Sequence, residues 1–254
     1  MIPKIIHFCW LSGDAYPELV KKCIYSWQKQ MPDYEIICWD EERIRNLDNK
    51  FMWEAFHCKK WAFAADYIRL YALYEYGGIY LDSDVFVRRS LDSLSSHRVF
   101  SGIEYCISSK NRTCNIEAAV IGSEPKHPFI RDCLDYFKQR RFIIGNKKFD
   151  QQILPEIIAN IAERKYSFRR HPIQQNLRED IMIYSPETIA HAYLEHSSAK
   201  QCYAVHLCEG GWYKSQVSKL TRLKSLFRRI VKNPVKTLYM LYWKYKFSQE
   251  LNHL

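Results

Sequence analysis

Residues 62–85 read AFAADYIRLYALYEYGGIYLDSDV, and this stretch decides the fold. Phe63, Tyr67, Leu70, Tyr71 and Tyr74 recur at three- and four-residue steps, the spacing of a helix packed on a core. Gly77 and Gly78 follow as a helix stop. Ile79, Tyr80 and Leu81 read as a short buried strand that runs into Asp82-Ser83-Asp84. In an open α/β sheet, ligands collect outside the carboxyl ends of the strands, so the two carboxylates stand where a ligand is expected.

Two carboxylates two residues apart at a strand end make a hard oxygen site suited to Mn²⁺ or Mg²⁺. Asp66 and Arg69 are three apart and share a helix face. On an otherwise apolar helix such a pair must bond to each other or turn toward something polar, and a ligand hydroxyl would satisfy both. Each feature alone also has a structural reading: a salt bridge for Asp66 and Arg69, and turn or capping residues for Asp82 and Asp84.

Taken together, the helix, the double glycine and the Asp-x-Asp strand end resemble the sugar-binding region of glycosyltransferase family 32, which includes capsular polysaccharide transferases of bacteria. The catalytic cores of large glucosylating bacterial toxins look similar. The family pattern is an Ala-rich Ser/Ala-Asp-x-x-Arg helix followed by Gly-Gly-x-Tyr-x-Asp-x-Asp, and Ala64 to Arg69 and Gly77 to Asp84 fit it position by position. The resemblance implies a GT-A-type nucleotide-sugar fold with a mostly parallel central sheet flanked by helices. It implies Asp84 as a direct metal ligand, Asp82 on the metal or the ribose of the donor, and Asp66 and Arg69 on the donor sugar. The implied reaction moves a hexose from a nucleotide diphosphate sugar, a UDP-sugar before a GDP-sugar, to an oligosaccharide or lipid-linked glycan, with retention of anomeric configuration.

Upstream, a strand over Lys4 to Trp10, a helix over Glu18 to Gln30 and a strand over Tyr34 to Trp39 predict a β-α-β opening and a parallel sheet. Family members open with a similar Ile-Pro-Lys-x-Ile-His-x-x-Trp segment, which makes Trp10 a candidate to stack on the nucleotide base. Trp10 packed in the core is the plainer alternative, and His7 reads as a buried hydrogen-bonding residue. Glu41 to Trp61 carries no clear period and is expected to form helices beside the sugar pocket.

Downstream, the pattern gives strands at Val99 to Glu104 and Ile116 to Gly122, a helix from about Pro128 to Arg140, and a helix from Asp150 to Glu163 with Asp150 as N-cap. Glu117 interrupts an apolar run, either as a hydrogen-bonding anchor or as a group facing the reacting sugar, and it is the one nucleophile candidate. Tyr203 to His206 looks like a strand leading into Glu209-Gly210-Gly211-Trp212, similar to the family's closing His-x-x-x-Gly-Ser-Trp element. By resemblance His206 contacts the metal or diphosphate and Trp212 closes over the donor. Gly211 stands where the family has a small hydroxyl residue.

The 254 residues, 47% hydrophobic, suffice for one catalytic domain over 1–213, followed by a basic helical tail over 214–254. No stretch approaches the roughly 18 apolar residues of a membrane span, and no signal-peptide pattern opens the chain, so a cytoplasmic location is expected, with peripheral attachment to the inner face of the plasma membrane. Nine scattered cysteines without a C-x-x-C pair predict reduced thiols. The net charge is +10, and Gly210 to Gln249 holds ten Lys or Arg and no Asp or Glu. Apolar and aromatic residues interleave with these cations across 214–247, which suits an anionic membrane surface. A solvated face is the bland alternative, and nucleic acid is not expected as partner. Two rival functions are a Mg²⁺-dependent phosphohydrolase and a non-catalytic basic binding module. The first expects Thr two residues after the Asp-x-Asp, where this chain has Phe86, and a later Asp-Asp pair that is missing.

Overall fold

In the computed structural model, the described residues are 1–104, 114–146, 148–191 and 202–208, with Pro234, Thr237, Leu238, Leu241, Tyr242, Tyr245 and Gln249 beyond them. β1 (Ile5–Cys9), α1 (Glu18–Gln30) and β2 (Glu35–Trp39) make the expected β-α-β unit, with β1 and β2 parallel from Ile5 opposite Glu35 to Cys9 opposite Trp39. Two short helices, α2 (Glu41–Ile44) and α3 (Lys50–His57), lead into α4 (Trp61–Tyr76). β3 (Gly78–Leu81) then joins β1 on the side away from β2, again parallel.

The chain continues through β4 (Val85–Val87), β5 (Val99–Glu104), β6 (Asn115–Ser123) and α5 (Pro128–Asp135), then the hairpin of β7 (Ile143–Gly145) and β8 (Lys148–Phe149). It ends with α6 (Leu154–Lys165), β9 (Gln175–Leu177), β10 (Ile181–Tyr184), β11 (Ile189–His191) and β12 (Ala204–His206). The main sheet has the order β2-β1-β3-β6-β5-β10-β9. β6 and β9 run against their neighbours, so five of the seven strands point one way. A small second sheet, β11-β12-β4, lies beside it. This is an α/β architecture with a mostly parallel sheet, as expected of the GT-A type.

Strand alternation sorts the core into two layers. Ile6, Phe8, Ile79 and Leu81 face α1 and the small sheet, where Trp27, Val85, Phe86 and Val205 complete a cluster. Tyr80, Val99, Ile103 and Ile116 face α3 to α6, with Phe51, Ile68, Phe137 and Ile158. The turn into β3 requires glycine: Gly78 has φ +96°, and a Cβ there would lie 2.5 Å from the Ile5 carbonyl oxygen.

Two helix boundaries differ from expectation. α5 stops at Asp135, and the chain winds on to Arg140 through i to i+3 bonds, from Phe137 N–H to Leu134 O (3.0 Å) and from Arg140 N–H to Phe137 O (3.4 Å). Asp150 is not an N-cap: α6 begins at Leu154 behind Ile153, with Pro155 in its first turn. The Asp150 carboxylate pairs with Arg140 instead and accepts the Gln152 N–H at 3.3 Å. Of the eight described cysteines, four are buried: Cys23, Cys114, Cys133 and Cys202. No helix among the described residues is long and apolar enough to cross a membrane. The 213/214 domain boundary and most of the basic tail lie outside the described residues.

Candidate active site

Asp82, Ser83 and Asp84 form a tight turn between β3 and β4, closed by the Val85 N–H on the Asp82 carbonyl at 2.9 Å. The Asp82 N–H donates to the Ala119 carbonyl at 2.9 Å, which ties the turn to β6. On its other side the Leu207 N–H donates to the Asp84 carbonyl at 3.0 Å, and β12 pairs antiparallel with β4 so that His206 stands opposite Val85. These bonds deliver the His206 ring to the carboxylates: Nε2 lies 3.6 Å from Asp84 Oδ1, and Nδ1 lies 3.5 Å from Glu117 Oε1.

Asp82, Asp84 and His206 each offer one ligand atom within 4.8 Å of the others. Two carboxylate oxygens and an imidazole nitrogen, all part-exposed, fit a divalent cation. Burial raises the Asp84 pKa, a push that His206 opposes and the Asp82 charge reinforces. Burial disfavours the charged form of His206, yet Cys208, Asp84 and Glu117 together raise its pKa well above the ordinary imidazole value.

Arg69 occupies the floor. Its side chain projects from α4, is 4% exposed, and donates through Nη1 to the Ala118 carbonyl at 2.6 Å. Nη2 lies 3.1 Å from Asp66 Oδ1 and 3.3 Å from Asp82 Oδ1. The guanidinium sits 4.6 Å above the Tyr80 ring, and the Tyr80 hydroxyl donates to Asp82 Oδ1 at 3.1 Å. Asp66 and Arg69 therefore do form the structural salt bridge, and they form it against the metal-site carboxylate. Burial lifts the Asp66 pKa to about 7, with Arg69 holding it down and Asp82 pushing it further up.

Glu117, 2% exposed, is anchored: Oε1 accepts the Ala119 N–H at 2.8 Å on the way to His206. This hydrogen bond and the neighbouring His206 ring make it a brace of the site rather than a group presented to solvent. Trp10 stands just past the carboxyl end of β1, half-buried, with its indole N–H on the Asp14 carbonyl at 2.6 Å and its ring edge-on to Tyr16 at 5.2 Å. His7 is buried behind the site, taking the Trp39 indole N–H at Nδ1 (3.2 Å) and donating from Nε2 to the Gly77 carbonyl (2.9 Å). Gly210, Gly211 and Trp212 lie outside the described residues. Sequence reasoning passed over Tyr80 as a site residue, although it is two residues before Asp82 and therefore on the same strand face.

Residues 17–101 match the family described as the glycosyltransferase sugar-binding region containing a DXD motif. Over 133 residues the chain is 35% identical to inositol phosphoceramide mannosyltransferase 2 of Schizosaccharomyces pombe, covering 51% of this chain and 36% of that one. It is 34% identical over 155 residues to an uncharacterized glycosyltransferase of Acanthamoeba polyphaga mimivirus, covering 58% of each. The chain thus spans less than two thirds of the length of these relatives. Among solved structures, the PaToxG glycosyltransferase aligns with TM-score 0.49 at 19% identity, over 65% of this chain and 70% of that one.

Proposed function

We propose that this chain is a DXD-containing, metal-dependent hexosyltransferase using a nucleotide diphosphate sugar, a reading supported by the matched sugar-binding region and by the named relatives. One observation carries the reading: Asp82, Asp84 and His206, from two distant parts of the chain, converge within 4.8 Å beside the buried Asp66–Arg69 pair. A divalent cation bound there supplies a Lewis acid for the leaving diphosphate.

The chain's own groups bind and orient. Asp84 and His206 would hold the cation, and Asp82 would share it or take the ribose hydroxyls. Asp66 accepts a donor-sugar hydroxyl, while Arg69 fixes both carboxylates from below rather than reaching the sugar by itself. Trp10 offers its ring to the base, uracil in preference to guanine, and Trp212, outside the described residues, is assigned to the donor by the family resemblance alone. Glu117 holds the His206 ring. The anomeric C–O bond breaks with its electron pair going to the diphosphate oxygen. The acceptor hydroxyl oxygen then bonds to the same face of the anomeric carbon, its proton passes to the leaving diphosphate, and configuration is retained.

The acceptor is a glycan or glycolipid of surface polysaccharide type, presented at an anionic membrane surface to which residues 214–247 dock. Two features support that docking: the excess of ten cations over no acids in Gly210 to Gln249, and the exposed helical residues Leu238, Leu241, Tyr242 and Tyr245. The name of the fission-yeast relative, a transferase acting on an inositol phosphoceramide, agrees with a lipid acceptor.

The test is thermal unfolding of the full chain against UDP, GDP and their hexose conjugates, with and without Mn²⁺, repeated on Asp84→Ala. A ligand at a hundred times its Kd adds about 2.7 kcal/mol. The expected result is a Mn²⁺-dependent shift with one nucleotide series that disappears in Asp84→Ala. No shift with any nucleotide would sink the transferase reading.

A further inference from the structure

A polar hollow, sharing no residue with the carboxylate and histidine cluster, opens between the start of α3 and the segment after α5. Its volume is about 330 Å³, at the lower end of the roughly 300–1,000 Å³ of small-molecule sites. Trp53 and His57, four apart on α3, form its aromatic wall, their rings stacked at 5.6 Å and 25°. Trp53 is half-buried and its indole N–H is taken by the Leu47 carbonyl at 2.7 Å, which locks the ring plane, while the His57 ring is exposed.

The polar wall is equally fixed. Glu54 accepts from the Phe142 N–H at 2.9 Å and the Ile143 N–H at 3.1 Å, and it pairs with Arg141. Burial presses the Glu54 carboxyl up, but the Arg141 hydrogen bond, the backbone donors and the guanidinium charge outweigh it and hold the group below the usual carboxylate range. Arg141 is thereby held at the rim with its side chain 57% exposed. Asp48 and Lys50, both exposed, flank the opening.

The lining thus carries two carboxylates and two cations, so it selects neither an anion nor a cation. What it offers is an amphipathic aromatic surface for an apolar face, with a carboxylate acceptor and ammonium and guanidinium donors around it for hydroxyls. That is the chemistry of a neutral saccharide. α3 packs directly on α4, the helix that carries Asp66 and Arg69. We infer that this hollow is a saccharide-binding subsite for the acceptor glycan, distinct from the donor site. The assignment to the acceptor rests on the glycosyltransferase reading; the binding of a saccharide does not.

The experiment follows the indole N–H resonances of the ¹⁵N-labelled full chain, with Trp53 and Trp10 assigned through Trp53→Phe and Trp10→Phe. The probes are the methyl glycosides of mannose, glucose and galactose, and N-acetylglucosamine, each without metal or nucleotide. The expected result is that at least one saccharide moves the Trp53 resonance saturably. In Asp48→Ala and in His57→Ala, both at exposed positions, binding weakens about tenfold, a loss of roughly 1.4 kcal/mol. The inference is overturned if no saccharide moves Trp53, if neither variant weakens the response, or if only nucleotides move it. UDP and GDP with Mn²⁺, read at Trp10 in the same samples, test the donor site separately, so failure of one reading is distinguishable from failure of the other.

Discussion

His7 shows how much a single side chain behind the site is constrained. Its ring must be neutral, with the proton on Nε2 for the Gly77 carbonyl and a lone pair on Nδ1 for the Trp39 indole. Burial lowers its pKa to about 4, a fall that the Gly77 bond only partly offsets. Between pH 6.5 and 4 the unfolded chain takes up a proton that the folded chain refuses, so stability from this group is present above pH 6.5 and lost as pH falls toward 4. The loss amounts to about 3 kcal/mol. Urea denaturation across that window should show the decline in the wild type and a shallower one in His7→Gln; parallel curves would refute the assignment. Arg69 carries a different kind of constraint, because its fork serves the Ala118 carbonyl, Asp66 and Asp82 at once. Arg69→Met leaves the 12%-exposed Asp66 carboxylate without its cation and should cost about 3–5 kcal/mol in equilibrium unfolding. Arg69→Lys should recover only part of this, since an ammonium cannot reproduce the planar fork. A full rescue by Lys would mean that charge alone, and not geometry, holds the floor together.

At the scale of elements, what was legible in the sequence is what local patterns encode. α1 matched its expected span of Glu18 to Gln30, and α4, the glycine turn and β3 appeared where periodicity and Gly77-Gly78 placed them. Gly78 is the clearest case, because the positive φ and the Ile5 carbonyl 2.5 Å from a would-be Cβ both exclude a side chain. Gly78→Ala should therefore destabilise by about 3 kcal/mol, combining the left-handed backbone penalty with overpacking. A fall in melting temperature of roughly 6–12 °C is the measurable consequence, and one below about 2 °C would show that the β1–β3 junction yields. What was not legible depends on contacts between distant segments. The β12 residues pair with β4, so the link of His206 to Asp84 is made by sheet topology and no local pattern announces it; only the family resemblance pointed to His206. Asp150 looked like a cap because Asp commonly is one, but Arg140 claimed its carboxylate and Pro155 set the helix start. For Glu117 the sequence offers two readings, and the Ala119 N–H on its carboxylate with the His206 ring beside it supports the anchoring one.

For the whole molecule, the distribution of charge matters more than its total. The net +10 is carried by Gly210 to Gln249, which leaves the remaining residues near neutrality, so any long-range attraction to a polyanionic surface is directed through one end of the chain. Leu238, Leu241, Tyr242 and Tyr245 follow one another at helical spacing and are 40–64% exposed, an apolar and aromatic stripe beside those cations. A cation near an anionic bilayer contributes roughly 1 kcal/mol, and its reach shrinks to about 8 Å at physiological salt. The full chain should therefore co-sediment with phosphatidylglycerol vesicles, detach as salt is raised, and ignore phosphatidylcholine vesicles. Leu238→Glu combined with Leu241→Glu should reduce the bound fraction several-fold while leaving nucleotide-induced stabilisation intact, because neither residue is one of the three candidate ligands. Equal binding to neutral vesicles, or binding unaffected by salt, would rule out an electrostatic dock and return the tail to the role of a solvated face. Binding as expected would give the acceptor reaction a surface on which to run: a lipid-linked glycan held in the plane of the membrane meets a docked donor site at a far higher effective concentration than in solution.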